Sequence, residues 1–313
     1  MRYRTKDNRK TSTSQLISFV RDSYLDRTSR PVYSMVYLLG FIIFYEVGTI
    51  CINPQVLNQS LTDAKMVVSF VWGQNLLKCL GFSDRSTWIA MPLTVIVILL
   101  ALQYTSRTRW YIRFKDFIPM TFECVLLAVP LIVLSLLVTR SVGFNKDADL
   151  TGPGLSLRTE SSLPVMTTQR EASVPDAQCT TLTDDHHKSS LLVDLVTGIG
   201  AGIYEEFVFR LILICLLMLL FQDILKVSRQ NSIILSVLIA AVLFSAHHHI
   251  FFVNGQFHTG EPFSVSKFIF RTIAGVYFAA LFAVRGFGIT AGTHAFYNII
   301  ATFLNIFLFA CRR

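Results

Sequence analysis

Long apolar runs separated by short polar segments fill most of the 313-residue chain. An α-helix needs about 20 apolar residues to cross a bilayer, and runs of this kind occupy residues 32–52, 87–104, 117–139, 191–221, 232–250, 267–284 and 288–310. Residues 65–82 are ambiguous, because Gln74, Asn75 and Lys78 make them amphipathic enough to lie on the membrane surface or to cross it. The pattern predicts an all-α, polytopic helical membrane protein with seven or eight transmembrane helices, and we favour seven.

The polar segments divide the chain into four parts. Residues 1–30 are basic and are expected to lie in the cytoplasm, whereas residues 31–139 hold the N-terminal transmembrane helices. Ser, Thr, Pro and Asp dominate residues 140–190, and this composition predicts a flexible polar linker. The remaining residues, 191–313, form a second transmembrane domain that is expected to carry the function.

Composition agrees with a membrane location. Hydrophobic residues make up 52% of the chain and charged residues only 15%. The net charge of +8 comes largely from basic clusters that flank apolar runs, which is a signal of membrane topology and not of a nucleic-acid partner. The six cysteines show no metal-type spacing and predict no disulfide. We expect an integral, multi-pass protein of the cell membrane whose partners are the lipid bilayer and a membrane-bound protein or peptide.

Charged residues lie inside one of the apolar runs, in the sequence GIGAGIYEEFVFR at residues 198–210. An ionised side chain near the bilayer centre costs at least about 2.5–3.5 kcal/mol, so such residues usually mark a functional site. Glu206 and Arg210 are four residues apart on one helix face and can form an ion pair. Glu205 is turned about 100° away and can face a different partner.

Two later helices carry polar residues at helical spacing. Phe244 and His248 are four apart, as are His294 and Asn298. With the two glutamates and the arginine, these residues predict a wet cavity into which several helices project polar groups. Glu123 is either a structural hydrogen-bond partner in the bundle or a further member of the site.

Such a cavity could support hydrolysis. A carboxylate in an apolar site can act as a general base, and a nearby imidazole can hold and polarise a water molecule. Two His and two Glu could instead bind zinc, and the sequence HHH at 247–249 is compatible with this. Against a metal, HExxH is absent and Arg210 would oppose a cation. His247 and His249 are expected to lie exposed at a helix end without a chemical role, and Glu46 is expected to be solvated near an interface.

Three short motifs point to a known family. EEFVFR, FSAHH and HAFYN resemble the motifs EExxxR, FxxxH and HxxxN of the CPBP family, also called the ABI or type II CAAX protease family. Members of this family are intramembrane glutamic endopeptidases, including the eukaryotic type II CAAX prenyl endopeptidase. The resemblance covers roughly residues 190–310, in the order and approximate separation of the family motifs.

The resemblance implies a role for each matching position. Glu205 would activate a water molecule together with His248, His294 and Asn298 would stabilise the oxyanion, and Glu206 and Arg210 would support the site. No metal and no cofactor is implied. The implied reaction is hydrolysis of a peptide bond in a membrane-associated substrate, which in the eukaryotic branch is a prenylated CaaX tail. The alternatives are a non-catalytic scaffold or bacteriocin-immunity-type protein, and a transporter, which would predict internal repeats that are not found.

Overall fold

A computed structural model describes residues 22–52, 68–79, 84–147, 182–253, 256–259 and 262–310, together with Val20 and Gly81. These residues are almost entirely helical, which confirms the predicted fold class of a polytopic helical membrane protein. Most of residues 1–30 and residues 148–181 of the predicted linker lie outside the described residues.

The helices and strands follow one another in this order. In the N-terminal half they are α1 (Tyr24–Thr28), α2 (Pro31–Cys51), α3 (Val68–Cys79), α4 (Asp84–Ser106), a 3-10 turn (Phe114–Asp116) and α5 (Phe117–Asp147). In the C-terminal half, α6 (Leu182–Glu206) continues without a break to Ile224, and is followed by α7 (Arg229–Ala246), β1 (Ile250–Val253), β2 (Gln256–Thr259), α8 (Val265–Arg285) and α9 (Phe287–Ala310).

Five helical segments in the described residues are long and apolar enough to cross a membrane. They are Pro31–Thr49, Phe114–Thr139, Leu191–Ile224, Arg229–Ala246 and Val265–Arg285, and a shorter apolar helix covers Ala90–Ser106. The chain is therefore an integral, multi-pass membrane protein. The count of seven or eight spans stays a prediction.

Two boundaries differ from those predicted. Helix α5 continues to Asp147 and α6 begins at Leu182, so both ends of the predicted 140–190 linker are helical. Helix α7 ends at Ala246 instead of residue 250, and β1 pairs with β2 as an antiparallel hairpin with Ile250 opposite Thr259. The run Ile-Phe-Phe-Val of β1 consists of β-branched and aromatic residues, which favour a strand over a further helical turn.

Small residues allow the helices to approach closely. A Cβ atom added at Gly202 of α6 would lie 2.5 Å from the backbone nitrogen of Ala295 in α9. A Cβ at Gly275 of α8 would lie 2.9 Å from the Cα atom of Ala241 in α7. These contacts are backbone to backbone, so a side chain would separate the helices.

A partly buried polar cluster joins the two halves of the chain. The Arg285 guanidinium at the end of α8 contacts Glu123 of α5 through Nε–Oε1 at 2.5 Å, and donates to Thr28 Oγ1 at 2.9 Å. The Tyr24 hydroxyl donates to the second Glu123 oxygen at 2.7 Å. Because both carboxylate oxygens of Glu123 have structural partners, this favours the structural interpretation of Glu123. Glu46, in contrast, is half-buried and accepts from the Tyr204 hydroxyl at 3.3 Å, and its solvation near an interface stays a prediction.

We expect Arg285→Leu to lower the thermal stability of the purified protein, because it leaves Glu123 without its opposite charge in a partly buried site. Breaking a buried ion pair costs at most about 3–5 kcal/mol, and the partial exposure of Glu123 reduces this. The double variant Arg285→Leu/Glu123→Leu should recover part of the loss, because no uncompensated charge remains. A single variant as stable as the wild type in a detergent melting assay would contradict the assigned role.

We expect Gly202→Leu to destabilise the packing of α6 against α9, because its side chain would meet the Ala295 backbone. The matched control is Gly40→Leu in α2, where a Cβ atom would meet nothing within 4 Å. Melting of both variants in the same detergent tests this. Equal melting temperatures for the two variants would rule out a close contact at Gly202.

Candidate active site

Helix α6 changes its winding directly after the two glutamates. It is α-helical up to Glu206 and π-helical over Phe207–Leu213, with a second π segment at Leu219–Ile224. Short π segments occur frequently at functional sites, because the wider turn changes the direction of the side chains. The helix stays continuous past Gly198 and Gly202, so the two glutamates lie in the middle of an unbroken helix.

The predicted ion pair between Glu206 and Arg210 is present and fully buried. Arg210 Nε lies 3.0 Å from Glu206 Oε2, and the side chains are 1% and 0% exposed. Above the guanidinium carbon, the ring centroid of Phe244 lies at 4.3 Å and that of Phe278 at 5.6 Å. Arg210 Nη2 also donates to the carbonyl oxygen of Gly275 at 3.4 Å. The arginine therefore neutralises Glu206 and is held by the aromatic rings of α7 and α8.

His294 connects the two glutamates. Its Nδ1 lies 2.8 Å from Glu206 Oε1, and its Nε2 lies 3.9 Å from Glu205 Oε2. The ring stacks on Phe278 with centroids 4.5 Å apart. Since the carboxylate paired with Arg210 can only accept a hydrogen bond, Nδ1 carries the proton and Nε2 is directed toward Glu205.

The structure places His247 in the site, contrary to the expectation that it lies exposed at a helix end. His247 is only 4% exposed, and its Nε2 lies 3.7 Å from Glu205 Oε1. Its Nδ1 contacts the carbonyl oxygen of Phe244. A carbonyl oxygen only accepts, so Nδ1 is the donor and, in the neutral ring, Nε2 presents a lone pair to Glu205.

His248, which the motif spacing selects, lies next to His247. The two ring centroids are 4.1 Å apart, and the possible ligand atoms of Glu205, His247 and His248 all lie within 4.8 Å of one another. The two adjacent histidines therefore both reach the neighbourhood of Glu205. His249 is also buried, against the rings of Phe263 and Phe268, so its expected exposure was wrong.

His247 is buried by the β1–β2 hairpin and by α3, and the spacing of residues around His247 does not predict either contact. The turn at 247–249 leads into the β1–β2 hairpin, and α3 packs against β1 and α6. Trp72 of α3 lies with its ring centroid 6.0 Å from that of His247. The amphipathic character of residues 65–82 indicated that one face of this segment packs against another surface. The sequence alone does not identify that surface as the region around His247.

Asn298 lies away from this cluster. Its side-chain nitrogen donates to the carbonyl oxygen of Gly198 at 2.8 Å. Gly198 precedes Glu205 by seven residues, or about 10 Å along an α-helix. In the structure the amide therefore ties α9 to α6, and the oxyanion role implied by the family resemblance stays a prediction.

The arrangement can hold a molecule that donates two hydrogen bonds. The distance between Glu205 Oε1 and His247 Nε2, 3.7 Å, is too long for a hydrogen bond. Both atoms are acceptors in the tautomer described above, so neither can donate to the other. A water molecule that donates one hydrogen to each acceptor fits this geometry. The same atoms, with His248, could also coordinate a metal ion, although the Arg210 charge disfavours a cation there.

Comparison with known proteins identifies a family model for the region that contains these residues. Residues 187–300 match the family model described as type II CAAX prenyl endopeptidase, Rce1-like. Neither the comparison with curated proteins nor that with solved structures found a match. The matched segment contains all the motif residues, from Glu205 to Asn298. The C-terminal region of this chain therefore carries an Rce1-like domain, consistent with the CPBP family of intramembrane endopeptidases.

Proposed function

We propose that this protein is an intramembrane endopeptidase in which Glu205 activates the hydrolytic water. The observation that carries the proposal is the position of the buried Glu205 carboxylate opposite His247 Nε2, with His294 Nε2 on its other oxygen. The match of residues 187–300 to an endopeptidase family supports the same type of reaction.

These positions support the following steps of peptide-bond hydrolysis. A water molecule donates to Glu205 and to His247, so that a lone pair of its oxygen is free to attack the substrate carbonyl carbon. As the oxygen–carbon bond forms, one water proton moves to Glu205 and negative charge develops on the carbonyl oxygen. Glu205 then transfers this proton to the amide nitrogen, and the carbon–nitrogen bond breaks.

The remaining polar residues of the site support these reaction steps. Glu206 holds the His294 ring through Nδ1, with Nε2 directed toward Glu205; when Nε2 carries a proton, it donates to the oxyanion. Arg210 pairs with Glu206 and holds its carboxylate in place. Asn298 sets the position of His294 through its bond to the Gly198 carbonyl.

The membrane location and the matched family support one class of substrate. The site lies on apolar helices, so the scissile bond must belong to a peptide held at or in the bilayer. The matched family is described as acting on CAAX prenyl substrates, so a prenylated C-terminal peptide is the first substrate to test.

We expect Glu205→Gln to reduce single-turnover cleavage of membrane-tethered peptides by about 10²–10⁴-fold or more, because the amide cannot take the water proton. The matched control is Glu46→Gln, which changes another glutamate in a transmembrane helix. Within the described part of the chain, the Glu46 carboxylate accepts a side-chain hydrogen bond only from Tyr204. Cleavage should survive a strong chelator. Loss of activity on chelation, restored by zinc, would replace the glutamate mechanism with a metal mechanism. Cleavage by Glu205→Gln at the wild-type rate, or no cleavage of any peptide by the wild type, would contradict the proposal.

We expect His247→Ala to reduce the rate constant of the chemical step more than His248→Ala, because His247 Nε2 is the nitrogen directed at Glu205. The expected loss for His247→Ala is about 10²–10⁴-fold. His248→Ala, changed at the adjacent position, is its matched control. The opposite order of losses would show that the family motif spacing identifies the working histidine correctly and that our assignment is wrong.

A further inference from the structure

Trp72 is an aromatic residue at the site that does not belong to the matched domain. It lies on α3, well before residues 187–300. Its ring centroid lies 6.0 Å from His247 and 6.3 Å from Phe209 of α6. Both of these neighbours are buried, whereas Trp72 is only half-buried. The indole therefore lies at the edge of the site, with part of its surface exposed.

The two neighbours of Trp72 connect it to Glu205. Phe209 follows Glu205 by four residues and packs on the His247 ring with centroids 4.8 Å apart. His247 in turn contacts Glu205. A continuous surface thus leads from the Glu205 carboxylate over the His247 imidazole to the rings of Phe209 and Trp72.

Helix α3 is held firmly enough to place the indole. Gly73, beside Trp72, lies so close to α4 that an added Cβ atom would come against the Met91 side chain. Leu77, one turn further along α3, is buried. The helix also packs against α6 and β1. Trp72 therefore extends from a packed helix, and its position is defined by α4, α6 and the hairpin together.

We propose that Trp72 determines specificity by contacting an apolar substrate side chain next to the scissile bond. This inference rests on the proposed endopeptidase function and adds a substrate preference to it. When the scissile carbonyl lies at Glu205 and His247, one flanking Cα atom is bonded to the carbonyl carbon and the other to the amide nitrogen, and the two Cα atoms are about 3.8 Å from each other. A leucine or phenylalanine side chain on such a residue has the length to reach the indole 6.0 Å from His247. Apolar contact and ring stacking would favour these side chains over small or charged ones.

The test compares membrane-tethered peptides that differ only in one residue beside the cleaved bond. Each flanking position carries Leu, Ala or Asp in turn, and kcat and KM are measured for the wild type, Trp72→Ala and Trp72→Phe. The matched control is Trp110→Ala, because Trp110 is 57% exposed in the loop between α4 and α5.

For one of the two flanking positions, we expect Trp72→Ala to lower the preference for Leu over Ala by about tenfold or more. The change should appear mainly in KM, and Trp72→Phe should retain most of the preference. Trp110→Ala should behave as the wild type. A residue that only stabilises the fold would lower kcat equally for all peptides and would leave the preference unchanged.

The outcomes separate the two proposals. If cleavage depends on Glu205 but the Leu preference is the same in the wild type, Trp72→Ala and Trp72→Phe, the inference about Trp72 is overturned and the proposed function stands. If Trp72→Ala does not fold, the comparison of Trp72→Phe with the wild type decides, since a smaller ring should still weaken the preference measurably. If the wild type cleaves none of the peptides, both proposals fail.

Discussion

A charge buried among apolar helices needs an opposite charge or a hydrogen-bond partner, and the site is arranged around this requirement. Arg210 and Glu206 neutralise each other at 3.0 Å, and Glu206 uses its second oxygen to bind His294. Glu205 is left with two imidazole nitrogens at 3.7 and 3.9 Å, neither close enough for a direct hydrogen bond. The pair next to it therefore satisfies its own charge and leaves both carboxylate oxygens of Glu205 without a direct hydrogen bond to either imidazole.

The same requirement explains how the N-terminal half is attached. Arg285 at the end of α8 contacts Glu123 of α5 and Thr28 of α1, and Arg27 contacts Asp116 with two hydrogen bonds. These contacts hold the segment before α2 against the ends of α5 and α8. At a different place, α3 brings Trp72 to His247. The N-terminal half thus contributes both an anchor and one side of the site, although the family match does not include it.

Local patterns in the sequence carried much of this information. Apolar length indicated the helices, and four-residue spacing indicated the Glu206–Arg210 pair, because helix geometry alone determines this relation. The burial of His247 could not be derived this way, since it depends on the hairpin and α3, which are distant in sequence. The partner of Asn298 likewise depends on the depth at which α9 packs on α6, which no local spacing specifies. The motif spacing selected His248, whereas the end of α7 at Ala246 directs His247 to Glu205.

The position of Arg210 within the same helix as Glu206 also affects how the protein can enter a membrane. Helices are synthesised and inserted in sequence order, and His294 follows Glu206 by 88 residues. The arginine is only one helical turn away, so the pair can form as soon as α6 becomes helical, before α7, α8 and α9 exist. Glu206 and Arg210 can thus enter the bilayer as a neutral unit. The partners of Glu205 belong to segments that are synthesised later. Until α7 and α9 are in place, a nascent chain would carry Glu205 either protonated or near water.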